Sequence, residues 1–320
     1  MYPLQRLWHF PIDMWNRLPL RIDLPIPYLQ IDVVFVNDPD QIKILREDPA
    51  CGRMHQVPSG QQPGWAQYFF RGTRFHDVTH DDWFVAMEGQ QGNTEYEQRR
   101  EQIAACLKSE WYTSDDVSKV AELLKSGASD EALAEAMVPI INCRFLQGHT
   151  PIPGNIAQDA KRMLVSPVDI LKPGVYEKAV AAGKTVIAFC TASGIIKGLK
   201  EVDVAHNIGA AANEVVKTLT ILRNNAACED LDELFTRSEN TPTAAVPRVA
   251  LAASKFGGLL SYPARPGKTV FFLNISKAAG MERSLFWTFG TGVPERSCPF
   301  KPFAMSFLKD VQHHIRPQAT

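Results

Sequence analysis

Phe286-Trp287-Thr288-Phe289-Gly290-Thr291-Gly292-Val293-Pro294-Glu295-Arg296-Ser297-Cys298-Pro299-Phe300 is the stretch on which the fold reading turns. Its glycines and prolines make a stiff loop that delivers a cysteine to the start of an amphipathic helix predicted over Phe303 to His313. The first backbone N–H groups of a helix have no partner within it, and the helix dipole favours negative charge there. Both effects stabilise a thiolate. A thiolate held by a stiff loop, with a guanidinium two positions before it, suits axial ligation of a haem iron, and Arg296 can then offer its fork to a propionate.

Upstream of this loop the chain reads as mostly helical. Helices are predicted at Asp40 to Glu47, Tyr96 to Leu107, Ser114 to Leu124, Asp130 to Phe145, Ile156 to Leu164, Val175 to Phe189 and Val202 to Leu222. The β-branched run Ile31 to Val36 is a strand, followed by Asp38 as a helix cap and Pro39 in the first turn. Leu259 to Tyr262 and Thr269 to Leu273 are two further strands flanking the turn-rich Pro263 to Lys268. Cys51 to Phe84, rich in Gly, Pro, His and aromatics, has no period and reads as a long functional loop. The fold class is therefore mainly α with small β-sheets.

Several pieces occur in the order found in the cytochrome P-450 superfamily. The cysteine loop resembles that family's haem-ligand pattern, with Phe289, Gly292, Arg296 and Cys298 at its key positions. Two departures are visible: two extra residues stand between Gly292 and Arg296, and Phe300 replaces the usual glycine. Ala245 to Ala250 resembles the segment whose arginine, here Arg248, contacts a propionate. Tyr262 to Val270 is similar to the family's strand–turn–strand hairpin, and Tyr96-Glu97-Gln98-Arg99-Arg100 to its basic helix, which offers Arg99 or Arg100 as another propionate partner. The resemblance implies a single domain over 1–320, a cytochrome P-450-like fold trimmed in its distal helices, with haem b (iron protoporphyrin IX) bound and Cys298 as the metal ligand.

The central helix departs most. Its best counterpart is Ile208-Gly209-Ala210-Ala211-Ala212-Asn213-Glu214, where Ala211 and Ala212 fall on the family's acid and alcohol positions. Asn213 and Glu214 lie just beyond and are the candidate catalytic groups if the helix is shifted. Without a proton relay, scission of bound dioxygen is slowed, because general acid help contributes about 10²–10⁴-fold. The family's Glu-x-x-Arg pair is likewise out of register, although Glu233 and Arg237, four apart, can still meet on one helix face.

Three functions follow from the resemblance: a monooxygenase or peroxygenase of a small or medium hydrophobic molecule; a haem-dependent isomerase, lyase or dehydratase of a hydroperoxide or similar substrate; and a non-catalytic binding or accessory protein of the same fold. Electrons, where needed, would come from an external redox partner of ferredoxin or flavodoxin type, since no Gly-x-Gly-x-x-Gly opens a helix.

The composition fits these expectations. The chain has 320 residues, 34 basic against 35 acidic, and is 45% apolar and 22% charged. It is long enough to hide about 75% of its unfolded surface, ordinary enough to exclude disorder, and too evenly charged for a default nucleic-acid binder. No run approaches the roughly 18 apolar residues of a membrane span. The six cysteines form neither a CxxC pair nor a close framework, and so read as reduced thiols of a cytoplasmic protein. His76 and His80, three residues between them, suit an exposed turn better than a metal pair. Trp65, Phe69, Phe70, Phe75, Trp83 and Phe84 could line an apolar pocket or simply pack a core.

Overall fold

Strand and helix periods in the sequence become two separate bodies in the computed structural model, which describes residues 17, 21–26, 31–53, 78–79, 82, 94–107, 112–142, 144–147, 152–164, 173–237, 240–241, 246–285 and 297–316. In chain order the first elements are β1 (Arg21–Ile26), β2 (Ile31–Val36), α1 (Pro39–Glu47), β3 (Cys51–Arg53), α2 (Thr94–Cys106), α3 (Ser114–Lys125) and α4 (Asp130–Asn142). Next come α5 (Gly154–Met163), α6 (Val175–Ser193), α7 (Glu201–Ala210), a π-helical turn (Ala211–Val215) and α8 (Val216–Asn224). The chain continues through α9 (Leu231–Thr236), β4 (Val246–Ala250), β5 (Thr269–Leu273), α10 (Ile275–Glu282) and α11 (Lys301–Ile315). One compact unit takes Met1–Phe70, Glu88–Gln91 and Asp232–Ser297; the other takes Arg71–Met87, Gly92–Leu231 and Cys298–Thr320. The fold class is mainly α with a small mixed sheet, as the periodicity predicts.

The first unit is built on a five-stranded sheet in the order β1-β2-β5-β4-β3. Only β2 and β5 run parallel; the other neighbours are antiparallel. β1 escaped the sequence reading. Pro25 argues against a central strand, but β1 lies at the sheet edge, where a missing N–H is tolerated. Val34, Val36, Phe271 and Leu273 bury one face against Ile42, Leu45, Phe256, Leu259 and Ile275. On the other face Phe35 and Phe272, paired in register, stack with centroids 5.4 Å apart.

The predicted strand at Leu259 to Tyr262 is corrected. Phe256, Gly257 and Gly258 all take positive φ, which turns the chain too sharply for an extended run. Leu259 and Leu260 instead drop into the core as a turn, and the antiparallel partner of β5 is β4. The Arg265–Lys268 turn is anchored by a forked ion pair: Arg265 Nε and Nη2 each lie 2.8 Å from a carboxylate oxygen of Asp32.

Caps explain where the helices begin. The Asp38 carboxylate accepts from Gln41 N at 3.0 Å, with Pro39 in the first turn, as expected. Asp38→Ala should lower stability by about 1 kcal/mol, read as a lower urea midpoint with an unchanged slope. For α3 the cap is Thr113, one residue before the expected Ser/Asp start, in a full capping box with Asp116.

The named elements of the second unit are helices, joined by turns and one isolated β-bridge between Leu146 and Ile195. α5 packs on α6, α7 runs against both, and α3 lies along α11. The expected single helix from Val202 to Leu222 is instead interrupted by the π turn at Ala211–Val215. Among the described residues, no helix is long and apolar enough to cross a membrane.

Candidate functional site

Cys298 lies in the second unit, in the turn that opens α11. Lys301 N donates to the Cys298 carbonyl at 3.2 Å, and no side chain caps the helix. The thiol is half-buried and not in a disulfide. The helix is fixed by its buried face, Ala304, Phe307, Leu308 and Val311. Tyr112 packs edge-on to Phe307 with centroids 5.0 Å apart, and its hydroxyl donates to Asp310 at 2.6 Å. Phe300, where the resemblance expects glycine, has φ −80° and ψ −17°. That conformation is open to any L-residue, so the backbone here does not require glycine. Phe289, Gly292 and Arg296 lie outside the described residues, as do His76, His80 and the aromatic residues Trp65, Phe69, Phe70, Phe75, Trp83 and Phe84.

Two other cysteines of this unit, Cys106 and Cys190, are shifted by burial. Burial pushes the Cys190 thiol up to about 12 and also raises Cys106, so both behave as packing groups. Among the described residues, no cluster of three His, Cys, Asp or Glu could hold a metal ion.

Arg248 belongs to the first unit. It sits on β4 opposite Phe271, is 4% exposed, and its Nε is buried without an acceptor, although the side chain has other interactions.

Arg99 and Arg100 separate clearly. Arg99 on α2 is buried and bonds Asp203 through Nε (2.7 Å) and Nη2 (2.8 Å). Its Nη1 also reaches Glu95 (3.2 Å) and Asp82 (3.4 Å), and Nη2 reaches the Asp82 carbonyl (3.2 Å). An arginine has five N–H donors, and these contacts engage them. Burial opposes the Arg99 charge, but the carboxylates of Asp203, Asp82 and Glu95 together more than offset it and raise the arginine's pKa. Lys200 extends the network to Asp82 (2.9 Å) and Glu95 (3.1 Å). Arg99 is therefore already committed to carboxylates; Arg100, the other residue of the pair, is half-buried. Asp203 was not singled out from the sequence. Its one signal is a carboxylate between Val202 and Val204 near the start of a mostly apolar helix.

The central helix gives partners to both candidate catalytic groups. Glu214 is partly exposed and ion-paired to Lys217 at 2.8 Å. Asn213 donates through Nδ2 to the carbonyls of Lys161 (2.8 Å) and Gly209 (3.2 Å). Ala211 and Ala212 are fully buried. Glu233 and Arg237 do meet, at 3.4 Å, but both are exposed.

The whole fold has clear counterparts. The PksS cytochrome P-450 of the bacillaene polyketide synthase of Bacillus subtilis 168 superposes with a TM-score of 0.64 at 13% identity, over 97% of this chain and 88% of that one. A cytochrome P-450 of Thermus thermophilus gives 0.60 at 13% identity, over 98% and 88%. The BioI cytochrome P-450, solved with a fatty-acyl carrier protein, gives 0.58 at 12% identity, over 98% and 89%. No protein-family model matches the sequence, and no curated protein matches it significantly.

Proposed function

We propose that this chain, which has the cytochrome P-450 fold, is a haem-thiolate enzyme that oxidises a small or medium hydrophobic substrate, and that the Cys298 thiolate would hold the haem iron. The observation that carries the reading is a half-buried cysteine in the turn opening an uncapped 15-residue helix, on that fold. Each donor suits its part of the group: a thiolate would be a soft ligand for iron, and the Arg248 guanidinium, which the resemblance offers, would suit an anionic propionate. Arg296 and Arg100 complete the proposed propionate partners.

When bound, the haem supplies the oxidising chemistry. The protein's own contribution is to hold Cys298 at the dipole-favoured end of α11 and to keep water from the central helix with the apolar wall of Ala211 and Ala212. That wall offers no side-chain acid or alcohol. It favours an oxidant whose oxygen–oxygen bond needs no proton relay from this helix, namely peroxide, over dioxygen. The same observation supports a second reading, in which the oxygen–oxygen or nitrogen–oxygen bond is already in the substrate and the enzyme is an isomerase, lyase or dehydratase.

The test is the absorbance spectrum of the haem-loaded protein, reduced and exposed to carbon monoxide. The expected result is the red-shifted Soret band of thiolate-ligated haem. A colourless chain that takes up no added haem overturns the proposal. Turnover with hydrogen peroxide alone selects the peroxygenase reading. Turnover that requires a ferredoxin- or flavodoxin-type donor with dioxygen selects the monooxygenase reading, and conversion of a fatty-acid hydroperoxide without either selects the second.

A further inference from the structure

We propose that Asn213 is a positioning residue that locks the π turn of the central helix against the end of α5, and thereby sets the wall facing the reaction site; this last consequence rests on the haem-thiolate reading. A π turn lets one residue too many into the helix, so a carbonyl near it loses its normal i+4 partner. Here Gly209 O is met by the Asn213 side chain at 3.2 Å, and Glu214 O by the Thr218 hydroxyl at 2.6 Å. The side chains supply donors on both sides of the distortion.

The second hydrogen of the Asn213 amide leaves the helix altogether. Nδ2 lies 2.8 Å from the Lys161 carbonyl and 3.4 Å from that of Ala160. Both carbonyls belong to the last four residues of α5, where a helix runs out of its own donors. One amide therefore serves two backbones, and neither bond could be made by the Ala-Ala pair before it.

The approach is close because of Gly209. A Cβ built there would stand 2.8 Å from Met163 Cε and 3.1 Å from its Sδ, and Met163 is itself buried at the end of α5. Glycine lets α5 come near, Met163 fills the contact, and Asn213 fixes its register. Each residue advances a helix by roughly 100°, so adding or losing the extra residue would swing α8 round relative to α7 and replace the buried wall at Ala211 and Ala212. The amide thus has a different task from the catalytic one expected of it.

The test compares wild type with Asn213→Leu, which keeps the bulk and removes the donor. Amide hydrogen exchange of the 209–218 segment in the full chain should become about tenfold faster, while the 114–125 segment of α3 keeps its wild-type rate. In haem-loaded protein the midpoint of an imidazole titration should shift at least about threefold, with the position of the reduced carbon monoxide band unchanged. Unaltered exchange at 209–218, equal acceleration at 114–125, or faster local exchange with an unmoved imidazole midpoint each overturn the positioning role. The exchange measurement stands whether or not haem binds, so a failure of the haem reading shows in the carbon monoxide spectrum and not in this arm.

Discussion

Cys298→Ala should abolish the red-shifted Soret band of the reduced carbon monoxide complex while leaving a folded protein. The thiolate would be the only strong electron donor to iron from this turn, and the band position reports that donation. The fold should tolerate the change because the turn and α11 are held elsewhere. Lys301 N bonds the backbone carbonyl of residue 298, which alanine retains, and Phe300, Ala304, Phe307, Leu308 and Val311 carry the packing. Trimming a half-buried sulfur should cost about 1 kcal/mol or less. The checks are absorbance of the reduced complex and circular-dichroism melting, each against wild type. A band that survives intact would assign the iron to another residue.

Arg99→Leu should be the most destabilising single change in the helical unit. It would leave the Asp203 carboxylate, 2% exposed, without its cation. Breaking a buried pair from one side costs about 3–5 kcal/mol. Removing both charges, as Arg99→Leu with Asp203→Leu, should recover much of that loss, since the penalty comes from the stranded charge rather than from a missing attraction. Denaturant midpoints of the two single variants and the double variant measure the coupling. If the double variant is as unstable as the sum of the singles, the pair contributes independently and the argument fails.

The outer part of the same network adds a pH dependence of known sign. Burial alone would raise Asp82, but Lys200 and Arg99 hold it below its ordinary value. Lys200, then Arg99, lowers Glu95 as well. Carboxylates depressed in the folded state stabilise it above their unfolded pKa of about 4, and that contribution disappears as the pH falls through the folded values. Both groups are largely exposed, so this part of the effect is small beside the Arg99–Asp203 pair.

What could be read from the sequence was what depends on neighbours in the chain. β2 follows from its β-branched run, α1 from Asp38 and Pro39, and α11 from its apolar spacing, because capping, period and turn chemistry act within a few residues. The turn from Cys298 to Lys301 belongs to the same class, since it adjoins the helix start in the chain. Pairings made across the chain were not legible. Asp203 is 104 residues from Arg99, and nothing local marks either as the other's partner. The strand placed at Leu259 to Tyr262 had the right composition, yet three successive positive φ values before it send that segment into the core. The π turn left no periodic trace, since its donors are an asparagine and a threonine that read as ordinary polar residues.

The sheet has a consequence for how the protein is made. β2 closes on β5, and the ion pair that ties them, Asp32 to Arg265, joins residues 233 apart in sequence. At about 5–20 residues per second a ribosome takes roughly 10–50 s to span that gap. Until β5 is made, the nascent chain carries Val33, Val34 and Val36 on a strand with no parallel neighbour, exposed to pairing with other chains. β2 is thus made well before the strand that shelters it, and its safe passage depends on how quickly the segment between the two is translated.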